Sequence, residues 1–487
     1  MSHPLRLFRF LALLPLLLAA TGLLRGAASA PRPPNFLFIY TDDQRYDAVG
    51  VVQREQGSAG RYPWFQTPHL DRIAAEGMRF RNAFVVSSLC SPSRAAFLTG
   101  RYNHANGIAN NHTPFPEDSV THATLLRAAG YRTGYIGKWH MGPQRGARPG
   151  FDVSVSFVGQ GRYFDCPIEV NGVPTPTTGW IDDVSTDHAI SFLRDHRDRP
   201  FSLVVGYKAC HGPFEPPARA RERFAGARAR VVPNLGVPAV YRPDGPLPAM
   251  KEANTPDAAG TVPVNLGYFR CLSAMDDNVG RLLQALDELG LAEDTVVIFT
   301  SDNGYYHGEH GLGDKRSAYD ESLRIPLLVR HPRSVARGQV RDELVLNVDL
   351  APTLVDLAGQ PVPAAMQGRS WRPLFAGRGD GWRQAFLAEY FQEAGYPATP
   401  TVVAVRTTTA KLITYPGHEA WTELFDLRAD PFETRNLAAD PAHRDLLGRM
   451  QAELAVQARE TGFVIPAYAD PAGGDAAPKG AKKKKKA

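Results

Sequence analysis

The feature that most constrains this chain of 487 residues is an alternation of short β-branched or aromatic runs with longer amphipathic stretches between residues 34 and 330. Such alternation is typical of strand–helix–strand units, which build a parallel sheet covered by helices. The predicted strands are residues 36–40, 131–137, 201–207, 295–300 and 325–329. The pattern therefore predicts an α/β fold with a large, mostly parallel sheet flanked by helices.

The pattern changes after residue 377, where short strands are separated by turn residues. We expect strands at 386–390, 402–406, 411–415 and 422–427, in a smaller antiparallel sheet beside a helix at about 441–459. The predicted organisation is a signal peptide (1–30), a catalytic α/β domain (31–376), a C-terminal α+β subdomain (377–465) and a disordered Lys-rich tail (466–487).

The net charge of +5 comes from the two ends of the chain. Residues 1–30 contain three arginines and no acid, so removing them changes the net charge from +5 to +2. Removing the six lysines of residues 479–486 as well changes it from +2 to −4. Nucleic-acid binding requires cations clustered on the folded body, so we expect no nucleic-acid partner.

The N-terminus has the pattern of a secretory signal peptide. Arg6 and Arg9 precede an apolar stretch, and Ala28, Ser29 and Ala30 fit a cleavage site. The stretch is shorter than the roughly 20 residues that a membrane span needs. We therefore expect a secreted or periplasmic protein without stable membrane insertion, and an uncleaved anchor is the alternative.

Polar residues follow four of the predicted strands. These residues are Asp42 and Asp43, Lys138 and His140, His211, and Asp302 with Asn303. Ligands of open α/β sheets bind beyond the carboxyl ends of the strands, so the four segments should meet at one edge. Adjacent buried acids repel each other unless a cation lies between them. Oxygen ligands without an adjacent histidine favour calcium or magnesium over zinc.

The most specific motif is Cys90-Ser91-Pro92-Ser93-Arg94, followed by an apolar run that ends at Thr99-Gly100. Pro92 suits the first turn of a helix and Gly100 its end, which places Cys90 at the positive helix pole. The motif resembles the signature of the type I sulfatases of the alkaline-phosphatase-like superfamily, in which this cysteine is oxidised to formylglycine.

Four further segments are similar to that family in order and spacing. They are residues 35–44 (NFLFIYTDDQ), 134–140 (GYIGKWH), 301–315 (SDNGYYHGEHGLGDK) and 423–437 (ELFDLRADPFETRNL). The resemblance covers roughly residues 34–460, and within it the N-terminal half is similar to glucosamine and other exo-acting glycan sulfatases. It implies the alkaline-phosphatase/sulfatase fold.

The resemblance also implies the site residues. One divalent ion, usually calcium and alternatively magnesium, would be bound by Asp42, Asp43, Asp302, Asn303 and the modified Cys90. Arg94, Lys138, His140, His211 and Lys315 would surround the sulfate. Cleavage then needs a nucleophile at sulfur, neutralised nonbridging oxygens and a proton for the departing alcohol. An aldehyde hydrate offers one hydroxyl for attack on sulfur and a second for the later release of sulfate.

We assign roles to these side chains on that basis. His140 takes the proton of the second hydroxyl, His211 and Lys315 act at the leaving-group oxygen, and Arg94 and Lys138 hold the hydrate. The expected partners are a sulfated small molecule or glycan and a formylglycine-generating maturation enzyme. We interpret His307 and His310 as structural.

Two other functions remain open from the sequence. The first is a phosphomonoester, phosphodiester or phosphonate monoester hydrolase on the same scaffold; phosphatase relatives generally carry Ser or Thr at the position of Cys90 and gather histidines for two zinc ions. The second is a non-catalytic polyanion-binding protein.

The sequence does not determine the natural ester or the sulfated position, and residues 214–261 form the expected specificity loop. If Cys90 is oxidised, Cys166, Cys210 and Cys271 allow at most one disulfide.

Overall fold

A computed structural model describes Met1 and residues 33–242 and 255–467. The strands, numbered along these residues, are β1 (Asn35–Thr41), β2 (Met78–Phe80), β3 (Ala83–Phe84), β4 (Arg132–Lys138), β5 (Val153–Phe157), β6 (Ile168–Val170), β7 (Val173–Thr175), β8 (Phe201–Gly206), β9 (Ala229–Arg230), β10 (Thr261–Val262), β11 (Thr295–Ser301), β12 (Leu327–Arg330), β13 (Gln339–Arg341), β14 (Val345–Leu346), β15 (Ala385–Tyr390), β16 (Val402–Thr407), β17 (Ala410–Thr414) and β18 (Glu423–Asp426).

A mixed sheet of ten strands lies at the centre of the described fold, in the order β13-β2-β12-β11-β1-β8-β4-β5-β6-β7. Its middle strands β11, β1, β8, β4 and β5 are parallel. The predicted α/β class and four predicted strands, at β1, β4, β8 and β11, are thereby confirmed. β1 is buried along its whole length, as expected of a strand covered on both faces.

The strand predicted at residues 325–329 is present as β12, but it runs antiparallel to β11. A parallel return would need a long crossover, usually a helix. The chain instead uses the residues between the two strands to line the carboxyl edge and then turns back along β11. β5 was missed because its serines break the apolar run; Ser154 and Ser156 are nevertheless buried.

The helices of the described residues are α1 (Gly50–Gln56), α2 (Pro68–Glu76), α3 (Cys90–Thr99), α4 (Asn103–Asn106), α5 (His122–Ala128), α6 (Ile181–Asp195), α7 (Leu266–Glu288), α8 (Asp320–Leu323), α9 (Leu350–Leu357), α10 (Arg372–Phe375) and α11 (Arg444–Thr461). β1 shows how they cover the sheet. Phe38 packs in one core cluster with Phe97 of α3, whereas Ile39 packs in the opposite cluster with Leu272 of α7. The alternation follows from the two-residue period of a strand.

The smaller antiparallel sheet is also present, in the order β15-β16-β17-β18, with α11 packed against it. From Pro34 onward the described residues form one compact unit. The division at residue 376 therefore stays a prediction.

Glu423 of β18 leads to a pH-dependent stability prediction. Burial raises the pKa of this carboxyl to about 7 from 4.5, although it accepts hydrogen bonds from the hydroxyls of Tyr415 (2.6 Å) and Tyr319 (2.9 Å). Between these two values the native state holds a proton that the unfolded state has lost, so this group makes the free energy of unfolding fall as pH rises through that window.

Glu423→Gln is isosteric with the protonated acid and cannot ionise. We expect its Tm to match the wild type at pH 5 and to exceed it by about 2 °C or more at pH 8.5. Thermal melts of both proteins at the two pH values measure this, and a variant that is less stable by the same amount at both values would contradict it.

The predicted signal peptide, nearly all of the predicted tail and the middle of the predicted specificity loop lie outside the described residues. No helix formed by the described residues has the length and apolar character needed to cross a membrane. All four cysteines are free and buried.

Candidate active site

The carboxyl ends of β1, β4, β8 and β11 meet beside the N-terminus of α3. This edge forms the floor of a cavity of about 880 Å³. The strand ends supply the predicted residues Asp42, Asp43, Lys138, His140, His211, Asp302 and Asn303; α3 supplies Cys90 and Arg94, and the loop after β11 supplies Lys315. Most of these polar groups lie at or just after the end of a buried strand; Arg94 lies within α3 and Lys315 lies in a loop.

Three carboxylates lie together at this edge of the sheet, and one of them, Asp43, lines the cavity. Asp42, Asp43 and Asp302 are buried, and one carboxylate oxygen from each lies within 4.8 Å of the others. Asp43 adopts a left-handed backbone conformation (φ 65°) and its N–H donates to Asp302 Oδ1 at 3.1 Å. Burial raises the pKa of Asp43 to about 7, with Asp42 and Asp302 adding to it and Lys315 opposing.

Asn303 completes an all-oxygen donor set. Its Nδ2 donates to Asp43 Oδ1 at 2.6 Å, whereas its Oδ1 is buried without a hydrogen-bond partner among the described residues. Three crowded carboxylates and an orphaned amide oxygen suit a hard divalent ion such as calcium or magnesium. These residues therefore fit the metal that the sequence analysis predicts.

Three basic side chains neutralise these acids. Arg94 contacts Asp302 through Nε (2.8 Å) and Nη2 (2.7 Å), Lys315 Nζ lies 2.7 Å from Asp43 Oδ1, and Lys138 pairs with Asp42. Burial opposes ionisation of Asp42, but the charges of Lys138 and Arg94 outweigh it and hold its pKa well below the ordinary value. The three cations therefore balance the charge of the carboxylates and keep Asp42 in particular ionised.

Cys90 is the first residue of α3 and is fully buried. Its Sγ donates to Asp42 Oδ1 at 3.5 Å. Burial and the neighbouring Asp42 raise the pKa of the thiol far above its ordinary value. Because the thiolate is the nucleophilic form, an unmodified Cys90 is a poor nucleophile here.

α3 is tied to the end of β4 by two hydrogen bonds. Arg94 Nη1 donates to the carbonyl of Lys138 at 2.6 Å, and Ser91 Oγ donates to the carbonyl of His140. His140 has a left-handed conformation (φ 52°), and its buried Nδ1 has no partner among the described residues. Burial lowers the pKa of His140 well below the ordinary value, so the ring is neutral.

His211 and Lys315 approach the same oxygen of Asp43. Lys315 Nζ lies 2.9 Å and His211 Nε2 lies 3.9 Å from Asp43 Oδ2. His211 Nδ1 is 2.7 Å from the Gly212 carbonyl, which assigns the proton to Nδ1 and leaves Nε2 as an acceptor. Burial lowers the pKa of His211 to about 2, with Lys138 and Lys315 adding to it.

The outer wall of the cavity contains residues that the sequence analysis missed. Arg316 is held by Glu393 (Nε, 2.6 Å) and by Asp314 (Nη1, 2.6 Å) and lies over the ring of Tyr396. No local sequence pattern identifies this group. Glu393 and Tyr396 lie in a distant loop, and 77 residues separate Glu393 from Arg316.

Gln160 and Lys208 were also missed. Gln160 borders the cavity after β5, and Lys208 is fully buried just after β8. Lys208 lies two residues after β8, as Asp43 lies two residues after β1, so the rule used for the other polar residues could have identified it. Gln160 follows a strand that was itself not predicted.

His310 lies in a different buried cluster with Glu321 and Glu433. Its ring stacks on Tyr319 at 3.7 Å, and its Nε2 is 3.9 Å from Glu321 Oε2. Lys411 of β17 pairs with Glu433 at 2.5 Å, so the cluster joins the small sheet to the segment after Lys315.

Comparisons with known proteins show what this chain is similar to. The family model described as Sulfatase matches residues 34–360, and the model of the N-sulphoglucosamine sulphohydrolase C-terminal region matches residues 308–460. The chain is 31% identical over 476 residues to the N-acetylglucosamine-6-O-sulfatase of Bacteroides thetaiotaomicron, with 83% of this chain and 82% of that protein covered.

Two solved structures extend the comparison. One, a protein in complex with its substrate D-glucosamine-2-N,6-O-disulfate, has a TM-score of 0.79 and 29% identity and covers 88% of this chain and 98% of its own. The other, a phosphonate monoester hydrolase of Silicibacter pomeroyi, has a TM-score of 0.69 and 23% identity and covers 88% and 96%. At that identity the second likeness concerns the fold alone.

Proposed function

Because this chain belongs to the sulfatase family, it is a sulfuric ester hydrolase of sulfated carbohydrates, and we propose that its substrate is a 6-O-sulfated glucosamine residue. The observation that carries the proposal is the buried group of three carboxylates, Asn303 and Cys90, which reaches a cavity of about 880 Å³ through Asp43. The relative and the substrate complex described above support the 6-O position.

The family implies a divalent metal and formylglycine, and we propose calcium held by Asp42, Asp43, Asp302, Asn303 and the oxidised Cys90. When bound, the metal and the aldehyde hydrate supply an acidified hydroxyl nucleophile and screen the sulfate charge. Arg94 and Lys138 orient this centre, because both are buried and ion-paired to its carboxylates.

The remaining residues manage protons. A 6-O-sulfate leaves as a primary alkoxide, which needs a proton as the S–O bond breaks. We assign that delivery to the Lys315 ammonium, and we assign to the neutral His211, whose Nε2 is an acceptor facing the same oxygen of Asp43, the positioning of that ammonium. His140 is neutral and buried beside the centre, so its free Nδ1 serves as a proton acceptor.

The outer wall supports a sugar substrate. Asp314 is part-exposed and Arg316 is locked by two carboxylates, and such preorganised charged groups bind sugar hydroxyls without reordering. We propose that Asp314 and Arg316 recognise the hydroxyls of the ring that carries the sulfate.

A panel of position-defined sulfated glucosamines tests the substrate. We expect N-acetylglucosamine-6-O-sulfate to be hydrolysed with kcat/KM at least about tenfold above the 2-N-, 3-O- and 4-O-sulfated sugars. The matched control is N-acetylglucosamine-6-phosphate, which has the same sugar and a different ester. Faster release of phosphate than of sulfate would overturn the assignment of the site to sulfate esters. Activity on aryl sulfates alone would overturn the proposal that the substrate is a sulfated sugar.

A further inference from the structure

The turn at Gly159-Gln160-Gly161 follows β5 and reaches the same edge as the other strand ends. Both glycines have a φ of 60°, and a Cβ on Gly161 would lie 2.4 Å from the ring of Phe157. Only a chain without a side chain at Gly161 forms this turn without strain. The turn places Gln160 in the cavity wall beside His140 and His211.

Two buried lysines hold this turn from different strands. Lys138, at the end of β4, donates from Nζ to Gln160 Oε1, and Lys208, after β8, donates from Nζ to the Gln160 carbonyl at 3.0 Å. Both lysines are fully buried. Lys208 also lies 4.9 Å from the ring of Tyr163. A buried ammonium is costly without partners, so the two cations keep the turn in place.

Lys138 also settles the orientation of the Gln160 amide. An ammonium group only donates hydrogen bonds, so the amide atom that faces it is the oxygen. Nε2 is then a donor with a fixed direction, and no acceptor for it exists among the described residues. The side chain is half-buried and borders the cavity, which leaves the cavity as the place where Nε2 finds its acceptor.

We propose that Gln160 binds substrate, donating from Nε2 to a nonbridging oxygen of the sulfate, and that Lys208 is a positioning residue that holds the Gln160 backbone. The inference rests on the proposed function. Gln160 lines the same cavity as Asp43, His211 and Lys315, where the sulfate is proposed to bind. Lys138, which holds the amide oxygen, also pairs with Asp42, the neighbour of Asp43. An anion in a water-poor cavity is stabilised by preorganised neutral donors as well as by charges.

Gln160→Glu separates the two roles of this side chain. Glutamate keeps an oxygen for Lys138 but replaces the donor Nε2 with an oxygen that repels sulfate. With N-acetylglucosamine-6-O-sulfate we expect KM to rise at least about tenfold, and the dissociation constant of inorganic sulfate, measured by calorimetry, to rise by a similar factor, since a hydrogen bond to a charged group is lost. We expect kcat to change less than about threefold and Tm to stay within about 2 °C.

The matched control is Gln339→Glu, which makes the same charge change at an exposed position of β13 and should leave all four quantities unchanged. An unchanged sulfate dissociation constant in Gln160→Glu would overturn the proposal, as would a rise in KM alone, which would place the contact on the sugar. A wild-type protein that binds sulfate through Gln160 but hydrolyses no sulfate ester would instead refute the proposed function.

Lys208 is tested through its ammonium group. Lys208→Met keeps a long unbranched side chain and removes the ammonium, which is both the donor to the turn and the cation 4.9 Å from the Tyr163 ring. We expect the KM and the sulfate dissociation constant to rise by about threefold or more, and Lys208→Arg to restore them toward wild type because arginine also donates. Equal binding constants in Lys208→Met and the wild type would remove the positioning role.

Discussion

Replacing Cys90 by alanine is expected to abolish sulfate release while leaving the fold intact. The thiol is fully buried and lies 3.5 Å from Asp42 Oδ1, and its raised pKa keeps it protonated. Activity therefore depends on what Cys90 becomes rather than on the thiol. Loss of one sulfur atom at a helix N-terminus leaves a small cavity, so we expect Tm to fall by only a few degrees.

Two measurements check this prediction. Turnover of N-acetylglucosamine-6-O-sulfate should fall to background, whereas Cys166→Ala, which removes another buried thiol, should retain wild-type activity. Mass spectrometry of the tryptic peptide of residues 82–94 should show a species about 18 Da lighter than the thiol form, as an aldehyde requires. Full activity in protein that contains only the intact thiol would refute the nucleophile assignment.

Asp302→Asn is expected to remove both the metal and the activity. Asp302 is one of the three buried carboxylates that lie together, with Asp42 and Asp43, and also accepts the N–H of Asp43. Even the outer partners of metal ligands typically contribute about 10- to 100-fold to affinity. We therefore expect calcium affinity to fall more than about 100-fold, with a matching loss of turnover at micromolar metal.

The stability of this variant provides a readout that activity does not. A ligand that binds only the native state raises Tm, so calcium should raise the Tm of the wild type above its value in chelator. In Asp302→Asn calcium and chelator should give the same Tm, because the site no longer binds. Asp342→Asn, at an exposed carboxylate, is the control and should keep the calcium shift. A full calcium shift in Asp302→Asn would place the metal elsewhere.

The central strands were predictable because each is a short run rich in apolar, β-branched or aromatic residues between turn residues. β1, β4, β8 and β11 are buried in the middle of the sheet, so the residues on both faces of each strand are mostly apolar or small. The outer strands are short, so their sequence pattern is harder to recognise as a strand. The direction of β12 is set by the path of the segment before it, which returns the chain antiparallel to β11.

The floor of the site was predictable for a related reason. Asp42, Lys138, His211 and Asp302 each follow a predicted strand, and parallel strands bring their carboxyl ends to one edge. Glu393 and Arg316 lie in contact in the wall although 77 residues separate them. Their contact depends on how the small sheet packs against the large one, which local patterns do not encode.

The amino-acid sequence by itself therefore determined the α/β class, the order of the chemical groups and their common edge, because strand burial and strand ends are local properties. Tertiary structure alone decided which groups touch. The carboxylates of Asp42, Asp43 and Asp302 meet, and Gln160 is held between Lys138 and Lys208, only because separate strands pack side by side. Such contacts depend on distances of a few ångströms between segments far apart in the chain, and these distances are properties of packing.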